Sequence, residues 1–538
     1  MTRSTLRMSL GVRVAAGVLA CGAAPASAQQ DWLSQANQFY KDIFPGADGT
    51  PGQRTDLGLL PAIAGMDLPP TGLTSDDSRL MHPDYPMGLW EAASAWAAAP
   101  GQQAVIAKLD ELTDPALIDQ MGWGQPYGVE ALDASDDDLF LLIENGLYTE
   151  VDVGGMPLLA GADFKYLWGL ERVHMLVNIE ATRRAESGDV IGALDVLRDW
   201  LLVCNQVAQR RFETEMRQGL EWMLETCERM RDVAYVDFKS GSPRLAADVN
   251  DLREVVDTIG PQRTTEGHVR LARLQLPQGN EMAARQLAET VLQSSGANPV
   301  TFAPTMARLA TEGNPLRLFS EIPRWEQVAQ FQAPLSEART AIQTSYGDMA
   351  QRWSFTNPFD PLLDRRYDIE RFLSPRFTVV ASTLGPVPHL FDLRRQVRLE
   401  VLGTRHALSM VGISYASGML QRDADAAAGR RWVTAEEDDP YNPTGRDRGA
   451  NPRLQYILPG VTTGSGSTHV MSIVVPGRRN FSRNFDNRDF ILYSVGRDGA
   501  ANGATRIQNT VELVVDSDYL IWPPVLSLIR QNEIDQGG

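Results

Sequence analysis

The chain has 538 residues, with 50 Lys+Arg against 68 Asp+Glu and a formal net charge of −18. That acid excess disfavours nucleic acid and anionic membrane surfaces as partners. The length exceeds a single core, since domains run to roughly 100–200 residues.

The first segment is a targeting signal. Arg3, Arg7 and Arg13 precede an apolar run over residues 14–24 and then Ala26-Ser27-Ala28, a small-x-small cleavage pattern. A secretory signal is expected over residues 1–28, with the mature chain starting at Gln29 and working in the periplasm or outside the cell. The competing reading is lipoprotein processing at Cys21, against which Val18-Leu19-Ala20 places a bulky Leu at a position such sites fill with a smaller or β-branched residue. Loss of the three leader arginines takes the net charge to about −21. No later segment reaches the roughly 18 apolar residues needed to span a bilayer, so the mature chain should carry no integral membrane span.

Residues 29–85 are rich in Pro, Gly and Asp (Pro45-Gly46, Pro51-Gly52, Pro69-Pro70) and read as an extended arm with a short helix over 32–44. Residues 86–356 carry helical signals almost throughout. Asp133, Asp136, Asp137 and Asp138 precede Leu139-Phe140-Leu141, as expected for a helix N-cap and negatively charged first turn rather than a metal site. Residues 164–185 and 190–206 are periodic apolar stretches separated by the stop-and-cap signal Ser187-Gly188-Asp189. Residues 269–276 and 281–292 flank Pro277-Gln278-Gly279-Asn280 in the same helix, turn, helix design. These pairs resemble tetratricopeptide-type units without their 34-residue period, and leave open a stacked hairpin array with a binding face or an irregular helical bundle.

Cys204 and Cys227 remain after leader cleavage. A chain reversal near Glu215 would set them opposite each other on a hairpin, whereas a continuous helix would hold them about 34 Å apart and unable to bond. Both a disulfide and a pair of buried thiols stay open. The six histidines are dispersed, with no two at metal-ligand spacing.

Asn357-Pro358-Phe359-Asp360-Pro361 marks a boundary, because its prolines disfavour helix on either side. Residues 357–538 begin a second unit. Beyond Pro388 a long amphipathic helix carries Leu393, Val397, Val401, Leu408, Val411 and Tyr415. Strands follow at 454–456, 469–475, 489–494 and 511–515. The fold class expected is a mainly α helical-hairpin region followed by a small α+β domain, a long helix packed on an antiparallel β meander.

Three features of the second unit converge on one resemblance. Asp439-Pro440-Tyr441-Asn442-Pro443-Thr444-Gly445 is a turn leading into the first strand; 489–494 runs into Val495-Gly496-Arg497-Asp498-Gly499; Asp516-Ser517-Asp518 stands just before Trp522. Together they resemble the C-terminal head of the major type II secretion pseudopilins. The chain lacks that family's Gly-aromatic-Thr-Leu-x-Glu processing site and long apolar helix, so it is not an assembling pilin subunit. The combination with a helical region also resembles large secreted proteins of planctomycete-type bacteria, from which Ser417-Gly418-Met419 departs where that family has Gly-x-Tyr-Pro.

The pseudopilin resemblance implies a calcium-binding loop. Calcium takes six to eight oxygens, usually carboxylates and backbone carbonyls. Asp498, Asp516 and Asp518 would supply carboxylates, and the main chain at Ser494 and Val495 carbonyls. The alternative is that these aspartates cap turns, because the extra strand at 511–515 lengthens the loop. Gly464-Ser465-Gly466-Ser467-Thr468-His469 lacks the Gly-x-Ser-x-Gly elbow, with Thr463 and His469 at positions that need glycine, and reads as a flexible loop. The function expected is therefore a non-catalytic secreted envelope protein with a helical binding or scaffold region and a calcium-binding head, its protein partner unidentified. The alternatives are a scaffold without metal and a secreted hydrolase.

Overall fold

The computed structural model describes residues 32–38, 54–86, 88–132, 136–153, 156–260, 267–271, 274–311, 317–355, 365, 374–384, 387–423, 432–433, 438–442, 453–461, 468–510 and 514–537. The leader with Cys21 and Gln29, Asp133, the 357–361 boundary, Pro443-Thr444-Gly445 and the serines of the 464–467 loop lie outside them.

The helices, in chain order, are α1 (32–38), α2 (Thr55–Ala64), α3 (Ser75–Leu80), α4 (Trp90–Ala97), α5 (Pro100–Leu112), α6 (Asp136–Glu144), α7 (Tyr166–Ser187), α8 (Val190–Ala208), α9 (Glu213–Lys239), α10 (Val249–Thr258), α11 (Gln278–Val291), α12 (Phe302–Ala310), α13 (Leu318–Ala329), α14 (Leu335–Trp353), α15 (Thr378–Leu384), α16 (His389–Ser417) and α17 (Val525–Gly537). A two-residue hairpin pairs β1 (Leu292–Gln293) with β2 (Gly296–Ala297). The remaining strands are β3 (Gln455–Ile457), β4 (His469–Ile473), β5 (Phe481–Phe485), β6 (Ile491–Ser494), β7 (Arg506–Ile507) and β8 (Tyr519–Trp522). This is the expected class, a helical region followed by a small α+β unit.

The α7–α8–α9 layer is the spine of the molecule. Gly188 closes α7 in a left-handed conformation (φ 93°), which a glycine adopts without strain, and the Asp189 carboxylate caps α8 by accepting from Gly192 N. The chain then reverses over residues 209–212, just before α9, so the hairpin alternative is the observed one. At Gly219 the two helices touch backbone to backbone: a β-carbon there would lie 2.5 Å from Ala208 N. That register sets Cys204 opposite Met223, one turn short of Cys227. The offset is about 6 Å along the axis, which, added to the gap between helices, exceeds the reach of a disulfide. Both thiols are buried and unbonded.

Residues 269–271 and 274–277 are not α-helical, Leu271 belonging to a 3-10 turn, which corrects the helix expected over 269–276. Val269 N donates to Gly260 O and Arg270 N to the Asn205 side chain, so the amides a helix would use are committed elsewhere. α11 starts instead at Gln278, directly after Pro277.

In the C-terminal unit β6 pairs antiparallel with β3 and β8, and β4 pairs antiparallel with β5. β7 joins the two groups, lying parallel to β4 and exchanging Asp518 N→Arg506 O (3.0 Å) and Gln508 N→Asp518 O (3.2 Å) with the start of β8. There are thus two three-stranded sheets, β3-β6-β8 and β5-β4-β7, meeting at the single Ile507–Asp518 bridge, and the parallel β4–β7 pair makes the arrangement mixed rather than a simple meander. Of the strand expected at 511–515, residues 511–513 are outside the description and Val515 lies in a turn; the extra strand is β7.

The alternation along β6 and β8 divides the sheet's two faces. Leu492, Tyr519, Ile521 and Trp522 join the large core that reaches back through α9 to Ala36. Ile491, Tyr493 and Leu520 join a second core beneath Val525 and Leu528 of α17. Phe490 stacks on Trp522 (5.2 Å, 6°), and Tyr235 and Phe238 of α9 meet Trp522 edge-on. One hydrophobic core thus extends across the 357 boundary. Among the described residues, no helix is long and apolar enough to cross a membrane.

Candidate functional site

The loop after β6 holds most of the residues singled out for calcium. Gly496 turns it (φ 75°); a β-carbon there would lie 2.7 Å from Ser517 O, so only glycine lets the two segments approach. Asp498 accepts from Ala500 N (3.0 Å) and Asp516 N (2.8 Å). Asp518, fully buried, accepts from Asn502 N (3.0 Å) and Ala504 N (2.7 Å). Ser494 Oγ (2.9 Å) and Val495 N (3.3 Å) both donate to Asp439, a buried carboxylate that also accepts from Tyr441 N (2.9 Å).

Burial pushes both Asp439 and Asp518 up to about 6 against the pull of these donors, and Asp439 feels Asp518 while Asp518 feels Asp498. The structure brings Asp498, Asp518, Ser494 and Val495 together and adds Asp439, which in the sequence is marked only by its Asp-Pro turn. It leaves Asp516 exposed in a left-handed conformation (φ 61°), contributing its amide to the loop. As they stand, these carboxylates are answered by N–H and O–H donors. Among the described residues no group of three His, Cys, Asp or Glu is gathered as a metal shell.

A second set of functional-type residues lies on the helical spine. Charged side chains of α9 are buried and paired in both directions. Arg231 contacts Glu400 (2.5 Å) and Thr404 Oγ1 (2.6 Å) of α16, and the other Glu400 oxygen accepts from Tyr519 of β8 (2.5 Å). Asp232 takes Arg229 from its own helix and both Ser527 and Arg530 from α17. Arg79 of α3 bridges Glu225 (3.1 Å) and Glu228 (2.6 Å). Trp200 Nε1 donates to His174 Nδ1 (2.9 Å), and the ring's Nε2 lies 2.9 Å from Glu225. Burial opposes it, but Arg79 and His174 hold Glu225 down at about 2.

Beside this network, α7 and α9 frame two adjoining hollows. The first, ≈440 Å³, is lined by residues 162–164, Leu167, Trp168, Glu171, Thr214 and Gln218. The second, ≈510 Å³, shares Glu171 and Gln218 and continues to Glu221, Trp222, Glu225 and residues 74–76 at the start of α3. Helical spacing places these side chains on facing stripes, 167, 168 and 171 on α7 and 214, 218, 221, 222 and 225 on α9. Trp222 Nε1 donates to Glu171 (2.9 Å) across the gap. Trp168 is 76 % exposed. Among the described residues, no Lys, Arg or His is in the lining of either hollow.

A third cleft, ≈580 Å³, opens between α9, α17 and β5. Its cations are already paired: Lys239 with Asp489, Arg483 with Asp535 and Arg530 with Asp232.

Comparison with known proteins finds no matching family model, curated protein or solved structure.

Proposed function

We propose that the chain is a non-catalytic, exported cell-envelope protein whose helical region binds a partner and whose C-terminal α+β unit braces that region. The observation that carries this reading is the open groove along α7 and α9, which exposes Trp168 and is lined by more carboxylates than cations reach it. The targeting pattern at Arg3, Arg7, Arg13 and Ala26-Ser27-Ala28 supports export. The purified protein should turn over no substrate in ester, peptide and glycoside panels. Turnover abolished by Ser465→Ala or Ser467→Ala would refute the reading.

Calcium binding at the 494–518 loop is a second element of the proposal, favoured by the mutual repulsion of Asp439, Asp498 and Asp518. Calcium bound to the folded form alone stabilises it by about 2.7 kcal/mol at a hundredfold excess over Kd. A buried carboxyl with a raised folded pKa contributes stability that is complete below its unfolded value near ~4 and is lost as pH rises through about 6. Without calcium, stability should fall between about pH 4 and 6 by at most roughly 3 kcal/mol per group. With calcium that fall should flatten, and Asp518→Ala should abolish the difference. Identical melting curves in calcium and in chelator at pH 8 would remove the metal from the proposal.

A further inference from the structure

The α7–α9 groove combines three properties that together specify a ligand class. Its two hollows are joined end to end at Glu171 and Gln218. From Thr214 to Glu225 the α9 wall runs 11 residues, about 16 Å at ~1.5 Å per residue, the span of roughly five extended residues. A linear ligand fits this shape better than a globular surface.

The groove's charge is one-sided. Asp76, Asp163, Glu171, Glu221 and Glu225 line it, and among the described residues no Lys, Arg or His joins them in the lining. Arg217 and Arg79 reach Glu221 and Glu225 from outside the lining, and burial together with Glu225 pushes the Glu221 carboxyl up even so. At one end Trp168 stands 76 % exposed above a half-apolar hollow formed with Phe164 and Leu167. An indole left in solvent beside carboxylates offers a face to a guanidinium or ammonium group, by the attraction of a cation to the ring's negative face.

We propose that this groove is the docking site for a short, extended, arginine- or lysine-bearing segment of a partner protein, with its cations on Glu171, Glu221 and Asp76 and one cationic side chain laid over Trp168. The proposal rests on the binding reading above and names the partner's chemistry.

The test is fluorescence anisotropy of labelled penta-arginine with the full mature chain, penta-glutamate being the negative control. Binding is expected to weaken steeply as salt rises from about 0.05 to 0.5 M, because exposed pairs are screened. Trp168→Ala and the double variant Glu171→Gln/Glu221→Gln should each weaken it about tenfold. The charge-matched variant Glu130→Gln/Glu144→Gln, outside the groove lining, should leave it unchanged. Trp168 is exposed and both glutamines keep an acceptor, so all three variants should retain the helical circular dichroism of the parent. Equal losses in the groove and control variants would show unspecific attraction to an acidic surface and overturn the proposal, as would failure of the peptide to bind. Spermidine displacing the peptide at equal total charge would reassign the groove to a small polyamine and overturn the peptide assignment. None of these failures alters the substrate-panel result, which tests the non-catalytic reading by itself.

Discussion

Asp232→Ala should be among the most damaging single substitutions in the molecule. Its carboxylate is fully buried and is shared by Arg229, Arg530 and Ser527. Truncation strands two guanidiniums, themselves 2 % and 5 % exposed, with only Thr182 and carbonyl oxygens such as Leu80 O as acceptors. Removing one partner of a buried pair costs about 3–5 kcal/mol, and the upper half of that range applies when two cations lose the same anion. The exposed Glu337–Arg376 pair, with about half of each side chain in solvent, is the control: Glu337→Gln should cost no more than about 1 kcal/mol. The assay is urea unfolding followed by circular dichroism, with limited proteolysis of α17, which Asp232 ties to α9. Burial opposes ionisation of Asp232, but Arg530 and Arg229 hold its pKa below the ordinary value. Its contribution is therefore complete above about pH 4 and disappears as the pH falls through the folded value, so the gap between parent and variant should narrow in acid. A loss under about 1 kcal/mol at pH 7, or a gap that widens in acid, would refute the reasoning.

Two further outcomes follow from the α8–α9 hairpin. Gly219→Ala should destabilise by about 1–3 kcal/mol, because its β-carbon would press on Ala208 and Cys204 backbone, whereas Gly347→Ala, open on all sides within α14, should be neutral or stabilising by up to about 1 kcal/mol; thermal melts of the two variants compare them directly. Cys204 and Cys227 should be silent to a thiol reagent in the native chain and both react in denaturant, since burial raises the first and pushes the second up to about 12; an unreduced chain with no thiols in denaturant would show a disulfide instead.

What the sequence made legible was local. Ser187-Gly188-Asp189 carries its own stop and cap, and the three- and four-residue steps of α16 repeat for 29 residues, so both could be read without a partner. β7 could not, being two residues whose place is set by Asp518 and by β4, and neither could β5, whose Phe481–Phe485 run buries only its last residue. Trp168 sits inside an apolar stretch and reads as core until the helix's facing is known. The same long-range dependence hid the charges of α9. Glu-Arg-Met-Arg-Asp at 228–232 looks like a solvated face, yet Arg229, Arg231 and Asp232 are at most 2 % exposed.

These charges can be inside only because each meets its counterpart from far along the chain: Arg231 with Glu400, Asp232 with Arg530, Glu228 with Arg79. A lone buried ion would be prohibitive, so those pairings must form together with the docking of α16 and α17, not before it. The groove is the counterexample that gives the spine its meaning. On the same helix, two or three turns away, Glu221 and the Glu171 facing it stand nearer the surface and are met locally, Glu221 by Arg217 and Glu171 by the Trp222 indole, so the outward charges of α9 need no distant element while the inward ones depend on α3, α16 and α17.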